Sequence, residues 1–239
     1  SKSVGIVSPT YGEHEYCWRN SGAAVDLYNS MSEALGKSDV VVVVNPNNPD
    51  GRTYRQDQLK EAAGILASRD GFLIVDEAFG DVMPELSIVP NLPENTIVLR
   101  SFGKFFGLAG LRLGFAISAR EVADQMSKAF GPWSVSGPAL AIGSLALSDQ
   151  TWISGMKAKI EVQSLKQADQ ISSCGLNLVA NTCLFMEFEA EDGIELSQLL
   201  MTEHILVRSF PDRPNRLRFG LCKDDFELDK LASALKKHV

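Results

Sequence analysis

The stretch VVVVVNPNNPDG occupies residues 40–51. Five consecutive valines followed by Asn, Pro, Asp and Gly are typical of a strand that is buried on both faces of a parallel sheet and ends in a turn. Similar apolar runs lie at residues 4–7, 72–75, 96–99 and 113–117. Because helical patterns alternate with these runs, the sequence predicts an α/β fold with a mainly parallel sheet. Ligands of such sheets bind at the carboxyl ends of the strands, where polar or glycine-rich residues follow three of these runs.

A change of pattern near residue 148 predicts two domains. Residues 1–148 form the large domain, with amphipathic helices at 56–68 and 120–130 that we expect to be crossovers between strands. Residues 149–239 form a small α+β domain. Its predicted helices lie at 151–173, at 194–203 and after Asp224, and its predicted strands lie at 177–179, 183–188, 205–208 and 216–220. Asp224 and Glu227 have the spacing of a capping box at the start of the last helix.

The composition is that of an ordinary globular protein, with 239 residues of which 45% are hydrophobic and 22% charged. A net charge of −7 has the wrong sign for a protein that binds nucleic acid or an anionic membrane. The longest aliphatic run is far shorter than the roughly 18 residues of a membrane span. Four cysteines without a C-x-x-C pair favour the cytoplasm over a disulfide framework or a zinc site. The chain begins with Ser rather than Met, and we expect it to be part of a longer protein.

The segment SFGKFFGLAGLRLGF, residues 101–115, places Lys104 between a strand end and apolar residues. We expect these neighbours to desolvate the amine partly, which lowers an amine pKa and frees its lone pair for attack on a carbonyl. The alternative is a surface lysine in a glycine-rich turn. A phosphate-binding P-loop is excluded, because Val98 stands where its first Gly belongs and Phe105 where Ser or Thr must follow the Lys.

Asp76 ends an apolar run in LIVDEAFGD. A carboxylate at this place can hold a protonated ring nitrogen, because opposite charges in a low dielectric keep each other ionised. The alternatives are a helix N-cap and a metal ligand. The third motif is NPNNPDG, which follows the five valines. By itself it indicates no more than an ordinary turn, to which its residue types are well suited.

Together the three motifs, in this order and spacing, resemble the pyridoxal-phosphate enzymes of fold type I, in the class I/II aminotransferase family. The resemblance implies a three-layer large domain, incomplete at its N-terminus, followed by a small α+β domain. It implies pyridoxal 5'-phosphate as cofactor, and Lys104 as the residue that forms a Schiff base with it. The other implied cofactor contacts are Ser101 and Arg112 to the phosphate, Asp76 to the pyridine nitrogen, Asn48 to the phenolic oxygen and Tyr11 stacked on the ring.

For the substrate, the resemblance implies Arg218 in RLRFG and Arg208 in ILVRSF as anion-binding residues. The alternative for both arginines is a solvated side chain at a strand end. For Tyr11, named above as the residue on the cofactor ring, the alternative is an ordinary core tyrosine. The three histidines lack metal-ligand spacing, and we expect them on the surface or in loops. The resemblance also implies a homodimer.

Two residues depart from the usual family pattern. Phe79 stands where most members have Tyr, and Gly103 replaces the usual Ser or Thr before the Lys. The loss of a donor to the phenolic oxygen predicts a raised pKa of the Schiff base. Within the family, these stretches are most similar to the L-threonine-O-3-phosphate decarboxylases of cobalamin synthesis and then to the histidinol-phosphate aminotransferases. The expected substrate is a small phosphorylated amino acid, and the alternatives are an aminotransferase and a truncated, non-catalytic fragment.

Overall fold

The computed structural model describes residues 2–239, which divide into two compact units. The first contains the chain up to Asn48 together with Arg52–Asp149. The second contains Pro49–Gly51 together with Gln150–Val239. The short segment Pro49–Gly51 therefore leaves the first unit directly after Asn48 and returns to it at Arg52.

The first unit is built on a sheet with the strand order β2-β1-β3-β4-β5-β6. The strands are β1 Ser3–Val7, β2 Ala24–Tyr28, β3 Val40–Val44, β4 Phe72–Asp76, β5 Thr96–Ser101 and β6 Gly114–Ile117. Neighbouring strands from β2 to β5 are parallel, and β6 is antiparallel to β5. The α-helices of this unit are α1 Glu13–Asn20, α2 Met31–Lys37, α3 Gln56–Ala67, α4 Arg120–Phe130 and α5 Gly137–Ser148. This confirms the predicted α/β fold.

The strand β3 shows why the apolar run predicted this architecture. Its five valines are all buried, and alternate ones face opposite sides of the sheet. Val41 and Val43 lie in one apolar cluster with Leu59 of α3. Val42 lies in a second cluster, against which Trp18 of α1 packs. Helices therefore cover both faces, and each fully buried valine contributes roughly 1.5–3 kcal/mol.

Several elements of this unit differ from the sequence expectation. The strand β2 and the helices α1, α2 and α5 were not predicted, because their apolar residues are few or are not periodic. Ser30 begins α2 as its N-cap, accepting a hydrogen bond from the Glu33 amide at 3.2 Å. The prediction of α4 as a crossover is wrong: α4 follows the antiparallel strand β6 and leads into α5.

The second unit is an antiparallel sheet, in the order β7-β8-β10-β9, with helices packed against it. Its elements are α6 Gln150–Ser172, β7 Asn177–Asn181, β8 Phe185–Glu189, α7 Gly193–Thr202, β9 Arg208–Phe210, β10 Arg213–Gly220 and α8 Asp225–His238. Phe188 and Phe219 meet edge to face in its core at 5.6 Å. Asp224 caps α8 by accepting from the Glu227 amide at 3.0 Å, as the capping pattern predicts. The strand predicted at 205–208 begins instead at Arg208.

The helices were also compared with the length and hydropathy that a membrane span requires. Along the described residues 2–239, none of them is both long enough and apolar enough to cross a membrane.

Candidate active site

Asp76 occupies the carboxyl end of β4, and only 8% of it is exposed. Its Oδ1 accepts the backbone N–H of Ala78 at 2.9 Å, and its Oδ2 lies 2.8 Å from Nε2 of His14. An ionised carboxylate can only accept hydrogen bonds, so Nε2 is the donor. The next short helix begins at Gly80 with Phe79 at its N-cap, so Asp76 is not a helix cap. Two donors thus fix one buried carboxylate in a single orientation.

The expectation that His14 is a surface or loop residue is wrong. His14 lies on α1, its side chain is 12% exposed, and it reaches across 62 residues of sequence to Asp76. The contact depends on α1 packing beside the sheet, and α1 itself gave no clear sequence signal. His204 is exposed in a turn, whereas His238 lies on α8 with Nε2 3.2 Å from the Glu203 carboxylate.

Tyr11 lies in the loop after β1 and is 48% exposed. This excludes the alternative of an ordinary core tyrosine. Its ring meets the His14 ring edge to face, with centroids 5.9 Å apart. Tyr11, His14 and Asp76 therefore form one contiguous row that presents an aromatic ring beside the buried carboxylate.

Asn48 lies half-buried in the turn after β3, and two asparagines that precede it, Asn45 and Asn47, hold the turn in place. The Asn45 side chain exchanges two hydrogen bonds with the backbone of Tyr54, at 3.0 and 2.8 Å. The side-chain Oδ1 of Asn47 accepts from the Thr10 hydroxyl at 2.6 Å, which joins this turn to the loop that carries Tyr11. Asn45 and Asn47 are thus structural, and the turn they stabilise carries Asn48.

Ser101 ends β5, and its Oγ accepts the backbone N–H of Gly103 at 3.1 Å. Because the hydroxyl oxygen is the acceptor in this contact, its proton stays available for an anion. Arg112 precedes β6 and is exposed, with the left-handed φ of 53° that is uncommon for a residue other than glycine. Such backbone conformations are concentrated at functional sites.

Lys104 lies in the turn after β5, and its Nζ is 5.4 Å from the centroid of the Phe79 ring. The expectation of a partly desolvated amine is wrong for this structure, because Lys104 is exposed. The apolar residues around it point elsewhere: Phe102 and Phe105 are buried. Lys104 thus meets the Phe79 ring on one side and is open to solvent on the other.

Topology explains why these residues gather. Parallel strands place their carboxyl ends at one edge of a sheet, and an antiparallel strand begins at that same edge. The residues at that edge, or in the loops that extend it, are Tyr11 after β1, Asn48 after β3, Asp76 on β4, Ser101 and Lys104 at and after β5, and Arg112 before β6.

Arg208 and Arg218 lie in the second unit, directly opposite each other on β9 and β10. Burial lowers the pKa of Arg218 below its ordinary value, and the charge of Arg208 lowers it further. The Arg218 guanidinium also lies 5.4 Å from the centroid of the Phe185 ring. Like charges directly opposite each other on neighbouring strands are destabilising, so this pair favours an anion between or beside the two guanidinium groups.

The groups at the edge of the first sheet fit pyridoxal 5'-phosphate in their chemistry. A buried carboxylate with fixed orientation suits a protonated ring nitrogen. The Ser101 hydroxyl and the exposed Arg112 guanidinium suit a phosphate, and Lys104 offers a primary amine for a carbonyl. The Tyr11 ring is partly exposed and contacts His14, which itself contacts Asp76, so it suits stacking on an aromatic ring.

Comparison with known proteins gives the family. Residues 2–235 match the model of the family "Aminotransferase class I and II". Threonine-phosphate decarboxylases of Sinorhizobium sp and Pseudomonas aeruginosa are 38% and 37% identical, over 99% and 97% of this chain and 71% of each relative. A histidinol-phosphate aminotransferase of Psychrobacter arcticus is 31% identical over 86% of this chain and 58% of its own length.

Solved structures agree on the fold. Histidinol-phosphate aminotransferase from Clostridium acetobutylicum superposes with a TM-score of 0.90 at 23% identity, over 99% of this chain and 77% of the other. The enzyme from Sinorhizobium meliloti, solved in complex with pyridoxal-5'-phosphate, gives 0.84 at 23% identity, over 98% and 69%. The family-model match over residues 2–235, together with the relatives at 37–38% identity, shows that the chain belongs to the class I and II aminotransferase family of pyridoxal-phosphate enzymes. This confirms the predicted family and cofactor class.

Proposed function

We propose that this family member is a pyridoxal-phosphate-dependent decarboxylase that converts L-threonine-O-3-phosphate into aminopropanol phosphate for cobalamin synthesis. The observation that carries the proposal is the similarity, along nearly the whole chain, to two threonine-phosphate decarboxylases, which exceeds that to the histidinol-phosphate aminotransferase. Phe79, in place of the tyrosine of most family members, agrees with the resemblance of DEAF to the threonine-phosphate decarboxylases that the sequence itself indicates.

We assign the cofactor contacts to residues at the edge of the first sheet. Asp76, oriented by His14 and Ala78, holds the pyridine nitrogen in its protonated form. Ser101 and Arg112 bind the phosphate, Asn48 donates to the phenolic oxygen and Tyr11 stacks on the ring face. When bound, the cofactor supplies an electron sink for negative charge at the substrate's alpha carbon.

Lys104 has two tasks in this proposal. Its amine would hold the cofactor through the cofactor's carbonyl carbon. With substrate bound, its Nζ would donate a proton to the alpha carbon. The electron pair of the bond to the carboxylate stays on the alpha carbon when CO₂ leaves, and the proton from Nζ takes the place of the carboxylate. The solvent-exposed side of Lys104 allows Nζ to recover a proton from water.

Arg208 and Arg218 are assigned to the anionic groups of the substrate. Threonine phosphate carries a carboxylate and a phosphate, and two guanidinium groups in register offer paired donors to such groups. The choice between decarboxylation and transamination is then one of orientation, because the bond to the alpha carbon that stands perpendicular to the cofactor ring is weakened. The two arginines would set that orientation by where they hold the carboxylate.

We further propose a homodimer located in the cytoplasm, on the strength of the family resemblance and of a cysteine pattern without an evident disulfide framework. Analytical ultracentrifugation of the full chain with and without pyridoxal phosphate tests the first part. A monomer at micromolar concentration in both conditions would contradict it.

The test of the reaction begins with titration of the chain with pyridoxal phosphate, borohydride trapping and peptide mass mapping, followed by addition of threonine phosphate. We expect a trapped adduct on Lys104, CO₂ released in step with aminopropanol phosphate, and no keto acid. The matched control is Lys128→Ala, which removes another exposed lysine of the same unit. Formation of a keto acid without CO₂ would favour the aminotransferase, and an adduct on another lysine would contradict the assignment of Lys104.

A further inference from the structure

Glu77, the residue after Asp76, has a buried carboxylate that the proposed chemistry does not use. Only 1% of Glu77 is exposed. Its Oε2 accepts the Ser87 hydroxyl proton at 2.6 Å and lies 3.2 Å from Nε of Arg100, and its Oε1 accepts the Ile88 amide at 3.0 Å. Arg100 also donates from Nη1 to Asp81 at 3.2 Å. One carboxylate thus joins the end of β4, the neighbouring strand β5 and the middle of the loop between them.

The position of this ion pair relates it to the site. Asp76 is in register with Leu99, and the Glu77 amide donates to the Leu99 carbonyl at 2.8 Å. Glu77 and Arg100 are therefore the next residues along two adjacent strand ends. Their immediate neighbours in the chain are Asp76 and Ser101. Successive side chains of a strand point to opposite faces of the sheet. The side chains of Glu77 and Arg100 therefore lie on the face opposite to that of Asp76 and Ser101.

The same carboxylate closes the loop that follows β4. Glu77 stands at the start of this loop, and the Ser87 and Ile88 groups that donate to it stand about midway along it, well before β5 begins at Thr96. Phe79, whose ring lies 5.4 Å from Lys104 Nζ, belongs to this loop. Packing there is tight: a Cβ added at Gly80 would lie 3.1 Å from Cβ of Glu77 and 3.2 Å from Nη1 of Arg100.

Energetics favour a role in positioning over one in stability. Burial raises the pKa of Glu77 above its ordinary value, while the Ser87 and Ile88 hydrogen bonds and the charge of Arg100 oppose that rise. Buried ion pairs add little net stability compared with apolar residues of the same shape, because desolvation offsets the attraction. What such a pair does provide is a fixed geometry, since removing one partner leaves the other charge buried and uncompensated.

We propose that the Glu77–Arg100 ion pair is a positioning device, which sets the spacing between Asp76 and Ser101 and places Phe79 against Lys104. The inference rests on the proposed function, because it takes these residues to hold the cofactor. It adds that cofactor affinity depends on two charged residues that do not touch the cofactor.

The experiment compares Glu77→Gln with Glu85→Gln in the full chain. Glu85 is an exposed carboxylate in the same loop, so its variant is the matched control. Three quantities are measured: the Kd for pyridoxal phosphate, the pH at which the Lys104-bound chromophore titrates, and the midpoint of thermal unfolding. We expect Glu77→Gln to raise the Kd by about tenfold, by analogy with metal sites, where losing a residue that orients a ligand costs at least this much affinity, and to move the chromophore titration. Glu85→Gln should leave all three unchanged.

Arg100→Lys and Arg100→Gln test independently whether the other partner of the ion pair affects cofactor affinity. The lysine variant keeps the charge and should retain part of the cofactor affinity that the glutamine variant loses. If Glu77 and Arg100 act only on stability, the Gln variants will lower the unfolding midpoint while Kd and chromophore titration, measured well below that midpoint, stay at wild-type values. That result overturns the inference and leaves the proposed function intact. A wild-type chain that forms no Lys104 adduct contradicts the proposed function instead, and the inference falls with it.

Discussion

Both units bury a glutamate against an arginine, and the two settings differ in charge balance. Glu77 of the first unit is held by a hydroxyl, an amide and Arg100, whose guanidinium is shared with Asp81. Glu187 of the second unit pairs with Arg213 at 2.8 Å, but the same strands bring further arginines to the face.

The surplus of arginines in the second unit is visible in the strand register. Arg218 lies between Glu187 and Arg208, and Arg216 lies opposite Glu189. Including Arg213, this group has four arginines, whose ion-pair partners include the carboxylates of Glu187, Glu189 and Asp212. In the first unit two carboxylates share one arginine, which suits a scaffold, whereas the like-charged pair of Arg208 and Arg218 in the second unit suits the reception of an anion. We therefore expect changes in the first unit to act on the cofactor and changes in the second to act on the substrate.

The largest effect expected in the first unit is that of Lys104→Ala. Without the amine no covalent bond to the cofactor can form, so the borohydride-trapped adduct and its absorbance band should be lost completely. The lysine control described above should keep both. A band that persists in Lys104→Ala would remove this residue from its assigned role.

The matching change in the second unit is Arg218→Ala. Truncation of one member of a buried charged contact typically costs a factor of about a hundred or more in affinity, and this loss should fall on threonine phosphate. The Kd for pyridoxal phosphate should change by less than about threefold, within the scatter of surface substitutions. Arg120→Ala, at an exposed arginine of α4, serves as control. Equal weakening of cofactor and substrate binding would end the division of roles between the two units.

A pH series sharpens the comparison at Glu187. Burial raises its pKa above the ordinary value of 4.5, and Arg213 opposes this. A carboxyl group whose pKa is higher in the folded protein binds more protons when folded, so its contribution to stability falls as pH rises from 4.5 through the folded pKa. Denaturant unfolding of wild type and Glu187→Gln should therefore give a stability difference that shifts in favour of the variant as pH rises. The exposed-site variant Glu191→Gln should show no such trend, and a pH-independent difference for Glu187→Gln would refute the expectation.

The smallest effect expected is that of Phe79→Tyr. A hydroxyl added beside Lys104 would donate to the cofactor's phenolic oxygen, a hydrogen bond of about 1–1.5 kcal/mol. It should lower the pH at which the Lys104-bound chromophore titrates by about one unit. Phe226→Tyr, at a phenylalanine that is 80% exposed, is the matched control. An unchanged titration would mean that this side chain does not face the phenolic oxygen.

The sequence alone determined the frame of the molecule. Apolar runs bounded by Asn, Pro, Asp and Gly predicted β1, β3, β4 and β5, because a strand buried on both faces must be apolar at every position. The order of NPNNPDG, LIVDEAFGD and the Lys104 segment predicted the family, because each motif contains residue types that the cofactor chemistry requires. Helices with a clear apolar face, such as α3, were predicted closely, whereas α5 lacks that periodicity and was missed.

Only the tertiary structure decided which side chains meet. His14 reaches Asp76 across 62 residues, and Glu77 and Arg100 meet because β4 and β5 are neighbours in one register. The exposure of Lys104 likewise depends on where Phe102 and Phe105 turn their rings, which their position in sequence does not reveal. The physical reason is general. The periodicity of apolar residues shows which side of a segment faces the core and which faces solvent. Hydrogen bonds and ion pairs, in contrast, form between groups whose separation is set by the packing of other segments.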